Sequence, residues 1–284
     1  MLWLFTNKNY KNILCLYYFV TDNPTQRLDL LLENSATPFR SVFISDTHLG
    51  FKGAQNKPLN GFLDLIKDRT EELYIVGDFI DLWEMKKKNF FKKKHADTLT
   101  KVMKIAKNVN TYYIPGNHDE YFRELIGEDF GHLHVVKDYD YTTLDGRLLH
   151  VLHGDVYDLF MKPENRWISH LGSSVYGLLV SVSQTINKIQ RVMGRPHWSL
   201  SYYVKDRSKN IASIIGNFEE TIILAAKKQH YDGVICGHIH KPEIKTINGL
   251  DYYNTGDWVD SCSALMETKM GEFKLYHWYA EHPR

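Results

Sequence analysis

The sequence predicts an α/β fold whose strands form a mixed sheet or a pair of sheets. From residue 40, short β-branched or aromatic runs alternate with amphipathic helical stretches, and hairpin-spaced runs follow later in the chain. A further observation is where the runs stop. Five of them end in polar motifs: Asp46-Thr-His48, Gly77-Asp78, Gly116-Asn117-His118, His153-Gly154 and Gly237-His238-Ile-His240. In an α/β sheet the carboxyl ends of strands are where sites are built.

The elements follow in order. RSVFISDTHLG, residues 40–50, reads as a strand that breaks at Asp46. LNGFLDLIKDRTEE, 59–72, carries Leu59, Phe62, Leu63, Leu65 and Ile66 at helical spacing, and LYIVGDFID, 73–81, returns as a strand. HADTLTKVMKIAKNV, 95–109, is a second amphipathic helix and TYYIPGNHDE, 111–120, a third strand. HLHVVKDY is another strand, and YTTLDGRLLHVLHGD a hairpin around Leu-Asp-Gly-Arg. YDGVICGHIHKPEI, KTINGLDYYNTGDWV and EFKLYHWY complete the set. Residues 157–230 interrupt this grammar. Apolar positions 168, 171, 175, 178, 179, 182, 186, 189 and 193 step by threes and fours as one long amphipathic helix, Pro196 ends it, and further helical sequence follows. The expected organisation is a leader over 1–38, a core made of 39–156 and 231–284, and an inserted helical cap over 157–230.

Composition narrows the function classes. At 284 residues the chain buries a substantial core, and 43% hydrophobic with 24% charged residues is ordinary for a globular protein. A formal net charge of +1 supplies no global field for nucleic acid, so no nucleic-acid partner is expected. Cys15, Cys236 and Cys262 lie far apart, which argues against a disulfide framework or thiolate metal site and fits a reducing, cytoplasmic setting. No run approaches the roughly 20 apolar residues that span a bilayer.

Each strand-end motif alone is a commonplace turn. Together they assemble two Asp, one Asn and four His without a thiolate, and ligands at i and i+2, as in Asp46/His48 and His238/His240, share one face of an extended segment. Such an oxygen and nitrogen set suits Mn²⁺, Fe or Zn²⁺ better than Ca²⁺. Their glycines permit sharp turns and close approach.

The series D-x-H, GD-x-x-D, GNH-D, H-G-D and G-H-x-H resembles the calcineurin-like metallophosphoesterase superfamily. That resemblance implies a two-sheet sandwich flanked by helices around two divalent cations, with Mn²⁺ preferred. Carried onto this chain, it gives one ion to Asp46, His48 and His240, the other to Asn117, His153 and His238, and makes Asp78 the bridge. It implies a metal-bridging hydroxide as nucleophile on a phosphoester, His118 as proton donor to the leaving oxygen and Asp81 orienting it. Asp119 and Asp155 are expected to back the ligand histidines. One departure is Leu82, where many superfamily phosphatases carry Arg after the second carboxylate.

A narrower resemblance covers about residues 41–275. GDFIDLWE, YIPGNHDE, LHGDVYD, GRPHWSLSYYVK, CGHIHKPEI and NTGDWVDSCSALME are similar to the cap-bearing branch related to UDP-2,3-diacylglucosamine pyrophosphohydrolase of lipid A synthesis. It implies cleavage of a lipid-linked sugar nucleotide to lipid sugar 1-phosphate and UMP at the cytoplasmic face of the inner membrane. His118 departs from that branch, which carries Arg there, and keeps a soluble nucleotide or phosphoprotein open as the alternative substrate. Arg191, Arg195 and Lys205, around the Pro196 break, are candidate diphosphate-binding residues. The run KKKNFFKKK, 86–94, sets six lysines around Phe90 and Phe91 and reads as a loop, solvated or docked on an anionic membrane.

Overall fold

The computed structural model describes residues 39–88, 91–158 and 209–282, with the helical residues 182, 183, 185–187 and 190. In chain order the strands are β1 (Phe39–Ile44), β2 (Thr70–Val76), β3 (Asn110–Ile114), β4 (Asp129–Phe130), β5 (Leu133–Val135) and β6 (Tyr139–Thr142). Then come β7 (Leu148–Val151), β8 (Gly233–Cys236), β9 (Glu243–Ile247), β10 (Leu250–Asn254), β11 (Ser263–Thr268) and β12 (Phe273–His277). The helices are α1 (Asn56–Ile66), α2 (Leu82–Lys88), α3 (Lys93–Ile105), α4 (Lys209–Lys228) and α5 (Trp278–Glu281).

The strands form two mixed sheets, the paired arrangement of a metallophosphoesterase sandwich. One has seven strands in the order β12-β11-β1-β2-β3-β5-β4, and the other five in the order β6-β7-β8-β10-β9. β1, β2, β3 and β5 pair in parallel in the first, and β7, β8 and β10 in the second. Parallel strands put their carboxyl ends on one side, and every expected ligand follows such an end: Ile44, Val76, Ile114, Val151 or Cys236.

Apolar side chains of both sheets meet in one core. Phe43, Tyr74, Val76 and Ile114 from the first pack with Tyr141, Leu149, Val151 and Ile235 from the second. Phe43 and Tyr74 stack at 4.6 Å, and Tyr141 meets Phe43 edge-on at 5.1 Å. Fully burying a side chain of this kind contributes about 1.5–3 kcal/mol, so the ends of the strands that carry the ligands are held rigidly.

Three differences from the sequence reading have local causes. Thr70–Glu72, read as helix, begin β2, because Thr70 Oγ1 donates to Glu72 O at 2.9 Å and Phe39 to Ile44 supply a parallel partner. The lysine run is not one loop: Lys86 to Lys88 finish α2, and Lys93 and Lys94 open α3. Residues 209–228, assigned to the cap, form α4, whose Phe218, Ile222, Ile223 and Ala226 pack on Val234, Cys236 and Tyr252 of the second sheet and on Leu152 just past β7. An apolar stripe at helical spacing specifies a buried face without saying which surface buries it. The leader 1–38 and residues 159–181 and 191–208 of the expected cap lie outside the described residues.

Candidate metal centre

Five of the seven expected ligands hold a left-handed backbone: Asp46 at φ 50°, His48 at 46°, Asp78 at 50°, His238 at 68° and His240 at 52°. A non-glycine residue there costs of order 1–3 kcal/mol and persists only where its surroundings over-determine it. Here they do. The Asp46 N–H donates to Gly77 O at 3.0 Å, His48 N–H to Asp78 O at 2.9 Å and Asp81 N–H to Leu49 O at 2.8 Å, which zips the loop after β1 to the loop after β2.

The strand-end glycines make room for the ligands rather than merely reversing the chain. A Cβ at Gly116 would stand 2.3 Å from Asp78 Oδ1 and 2.7 Å from His153 Cδ2, and one at Gly237 would stand 2.5 Å from Asp46 Oδ2. A simple turn after β3 would therefore not serve: the glycine admits the Asp78 carboxylate, and Asn117 and His118 beside it face the same space.

The side chains converge. Ligand atoms of Asp46, His48 and His240 lie within 4.8 Å of one another, as do those of Asp46, Asp78 and His153. Asn117 completes the second group, its Oδ1 3.2 Å from His153 Nε2, with Asp78 Oδ2 3.5 Å from the same nitrogen. Asp46, His48, Asp78, Asn117 and His153 are all at most 5% exposed. His238 is set differently. Its main-chain N–H donates to Asp46 Oδ2 at 3.0 Å and its ring lies 5.2 Å from that of His153, but its Nε2 donates to Asp158 Oδ2 at 2.9 Å.

Two features fit this set to cations. His153 Nδ1–H donates to Val76 O at 3.0 Å and His48 Nδ1–H to Asp81 Oδ2 at 3.0 Å. Each ring thereby turns its Nε2 inward, and with a cation in place of the Nε2 proton it is the tautomer a metal ligand needs. His153 Nε2 meets the Asn117 and Asp78 oxygens there, so three groups able to ligate one cation converge on the same space. The two oxygens of Asp46 differ. Its Oδ2 accepts from Ser45 Oγ and His238 N–H, while its Oδ1, fully buried, faces His240 Nε2 at 3.1 Å. A carboxylate oxygen and an imidazole nitrogen set so against each other are a pair that one cation can bridge.

The electrostatics agree. Burial works to lower the His48 pKa, but Asp81, Asp78 and Asp46 outweigh it and raise it to about 9. Burial works to raise the carboxyl pKa of Asp78, and His153, His118 and His48 instead hold it well below the carboxylate range. Negative charge in this pocket is thus stable only beside positive charge.

His118 stands at the rim, half-buried. Its N–H donates to Asp78 Oδ1 at 2.8 Å, its Nδ1 lies 3.1 Å from Asp81 Oδ1, and its Nε2 lies 4.0 Å from Asp78 Oδ2. Asp81 does more than orient one ring: it holds both His48 and His118 and accepts from the Glu84 N–H at 2.8 Å, capping the first turn of α2. Asp119 corrects the expectation that it backs a histidine. Its Oδ2 accepts from Phe79 N–H at 2.7 Å, Ile80 N–H at 3.3 Å and the Tyr113 hydroxyl at 2.6 Å, and its Oδ1 from Gly116 N–H at 2.6 Å. Asp155 pairs instead with Arg123 at 2.8 Å.

Asp257 escaped sequence reasoning. It is buried, with Oδ2 3.8 Å from His240 Nδ1 and Oδ1 accepting the N–H groups of Val259 and Asp260. The signal was present, since Gly256-Asp257 follows β10 as Gly77-Asp78 follows β2. Arg191, Arg195 and Lys205 lie outside the described residues.

The family model for calcineurin-like phosphoesterases matches residues 39–242. A UDP-2,3-diacylglucosamine hydrolase of Shewanella baltica (strain OS195) is 24% identical over 250 residues, covering 82% of this chain and 95% of its own. The enzyme of that name from Shewanella sp. (strain MR-4) is 25% identical over 247 residues with the same coverage. Among solved structures, a phosphoesterase from E. coli aligns over 84% of this chain and 98% of its own, at 14% identity and a TM-score of 0.40.

Proposed function

The chain belongs to the calcineurin-like phosphoesterase family and is a phosphoester hydrolase, and on that premise we propose that it cleaves the diphosphate of a lipid-linked sugar nucleotide such as UDP-2,3-diacylglucosamine. The observation that carries the substrate reading is the span of the relatives so named, which align over 82% of this chain and 95% of themselves. A hydrolase of this kind works on substrate presented at the cytoplasmic surface of an anionic membrane. The lysines of 86–94 are its means of docking, each contributing about 1 kcal/mol near such a surface.

Asp46, His48 and His240 would hold one divalent cation and Asn117, His153 and His238 a second, with Asp78 shared between them. Mn²⁺ suits this oxygen and nitrogen set, as do Fe and Zn²⁺. When bound, such cations lower the pKa of a water and neutralise charge on the phosphoryl oxygens. The chain's own residues do the rest. Val76 O and Asp81 fix the tautomers of His153 and His48, so both rings present Nε2 inward. His118, whose Nε2 lies 4.0 Å from Asp78 Oδ2 at the rim of the site, gives a proton to the leaving oxygen, a contribution of about 10²–10⁴-fold for a poor leaving group. Asp81 keeps the other ring nitrogen turned away.

One observation favours a second reading: His118 stands where the lipid branch carries Arg, which suits a phosphodiesterase or phosphatase for a soluble nucleotide or phosphoprotein. Assaying the purified protein with Mn²⁺ on UDP-2,3-diacylglucosamine and on bis(p-nitrophenyl) phosphate separates the two. The lipid reading expects a far higher kcat/KM on the diacyl substrate. Turnover of the soluble diester alone would defeat it.

A further inference from the structure

One polar contact, to Asp81, holds the His118 side chain. Its Nδ1 is within 3.1 Å of Asp81 Oδ1, yet this buried nitrogen makes no aligned hydrogen bond. The contact fixes the side on which Asp81 lies without fixing the ring plane. The terminal torsion of a histidine is broad and roughly two-fold, so a ring with one misaligned contact turns. What stops it is packing. The His118 and His48 rings meet edge to face at 4.6 Å and 86°, and the His118 ring lies on the Trp83 indole at 4.2 Å and 31°.

Trp83 is well placed to serve as a fixed wall. It is 8% exposed and sits in the first turn of α2. That turn is tied to the histidine from both ends: Leu82 N–H donates to His118 O at 3.1 Å, and Asp81, beside His118, caps the Glu84 N–H. The indole and the imidazole therefore move together.

We infer that Trp83 is a positioning residue for proton donation, its indole face holding the His118 ring so that Nε2 is presented to the leaving oxygen of the substrate. A new P–O bond forms from the attacking water oxygen as the P–O bond to the leaving group breaks, that bond's electron pair stays on the leaving oxygen, and the proton passes to it from His118 Nε2. The inference rests on the proposed role of His118, and the experiment separates the two.

Turnover with Mn²⁺ is measured on bis(p-nitrophenyl) phosphate and on diphenyl phosphate, whose phenolate is the poorer leaving group, for Trp83→Ala, Trp83→Phe, His118→Ala and the double variant Trp83→Ala/His118→Ala. Trp83→Ala should lose about tenfold on diphenyl phosphate and about twofold on the nitrophenyl ester. Trp83→Phe should recover most of it, since a smaller ring still offers a flat face. In the double variant the tryptophan change should cost nothing beyond the loss from His118→Ala, because there is no ring left to position.

If His118→Ala loses equally on both esters, the donor role fails. If that variant behaves as expected while Trp83→Ala loses equally on both esters, or the two losses multiply, the donor stands and the positioning inference is overturned. Should Trp83→Ala not fold, Trp83→Phe against Trp83→Leu decides. A leucine variant as active as the phenylalanine one on diphenyl phosphate overturns the inference, and a selective deficit in leucine supports it.

Discussion

Asp119 is the most consequential side chain that touches none of the expected metal ligands' side chains, and its removal is a quantitative test of how the site is held. It is fully buried and accepts three main-chain N–H groups, from Phe79, Ile80 and Gly116, and one hydroxyl, from Tyr113. Asp119→Ala strands all four donors where water has little access. At about 1 kcal/mol for each donor left unsatisfied, the low end of the usual range, the loss is about 4 kcal/mol. Total stabilities are of order 5–15 kcal/mol, so the variant should fold but unfold early. Urea unfolding followed by tryptophan fluorescence is the assay. With a slope of about 3 kcal/mol per molar, the midpoint should fall by about 1.3 M. The same variant should bind Mn²⁺ more weakly, since the freed loops carry Asp78 and Asn117. A midpoint within 0.3 M (about 1 kcal/mol) of the wild type would refute the account of Asp119 as a clamp between the loops after β2 and β3.

Other expectations follow from the same contacts. Gly116→Ala drives a methyl to 2.3 Å from Asp78 Oδ1, and displacing that carboxylate should cost about 100-fold in kcat; unchanged turnover at normal metal content would contradict it. Replacing Lys86, Lys87, Lys88, Lys92, Lys93 and Lys94 by Gln should abolish salt-sensitive binding to vesicles containing phosphatidylglycerol. An unaltered partition would leave the run a solvated surface. His95 is buried, and burial, with Lys94 and Lys92, pushes its pKa down to about 4 from 6.5. The unfolded chain therefore binds the extra proton between those values, and stability contributed by neutral His95 is full above pH 6.5 and lost as pH falls toward 4. His95→Gln should flatten the dependence of the urea midpoint between pH 7 and 5, and equal slopes would speak against it.

Much of this site is legible in the sequence because its grammar is local. A strand that stops in Gly-Asp or Gly-Asn announces a side chain set at a sheet's carboxyl end, and the structure brings Asp46, His48, Asp78, Asn117, His153 and His240 together there. What is not legible lies across space. Asp119 reads as one more acid beside a histidine; only the folded loops show its Oδ2 occupied by the Phe79 and Ile80 amides, some 40 residues earlier in the chain. The face that Trp83 turns to His118 has no counterpart in spacing, since 35 positions separate them. The stripe of α4 fixes that a face is buried and leaves open whether cap or sheet buries it. The hold of Asp158 on His238 belongs in the same class, a contact over 80 residues of chain.

The account turns on the proposal that these six side chains, with His238, hold a pair of divalent cations. Isothermal titration of EDTA-stripped protein with Mn²⁺, alongside the Asp78→Asn variant, tests that directly. The account predicts about two bound ions per chain in the wild type and fewer, held more weakly, in the variant, as removing a shared ligand requires. Heat consistent with no specific binding, or identical isotherms for both proteins, would contradict it.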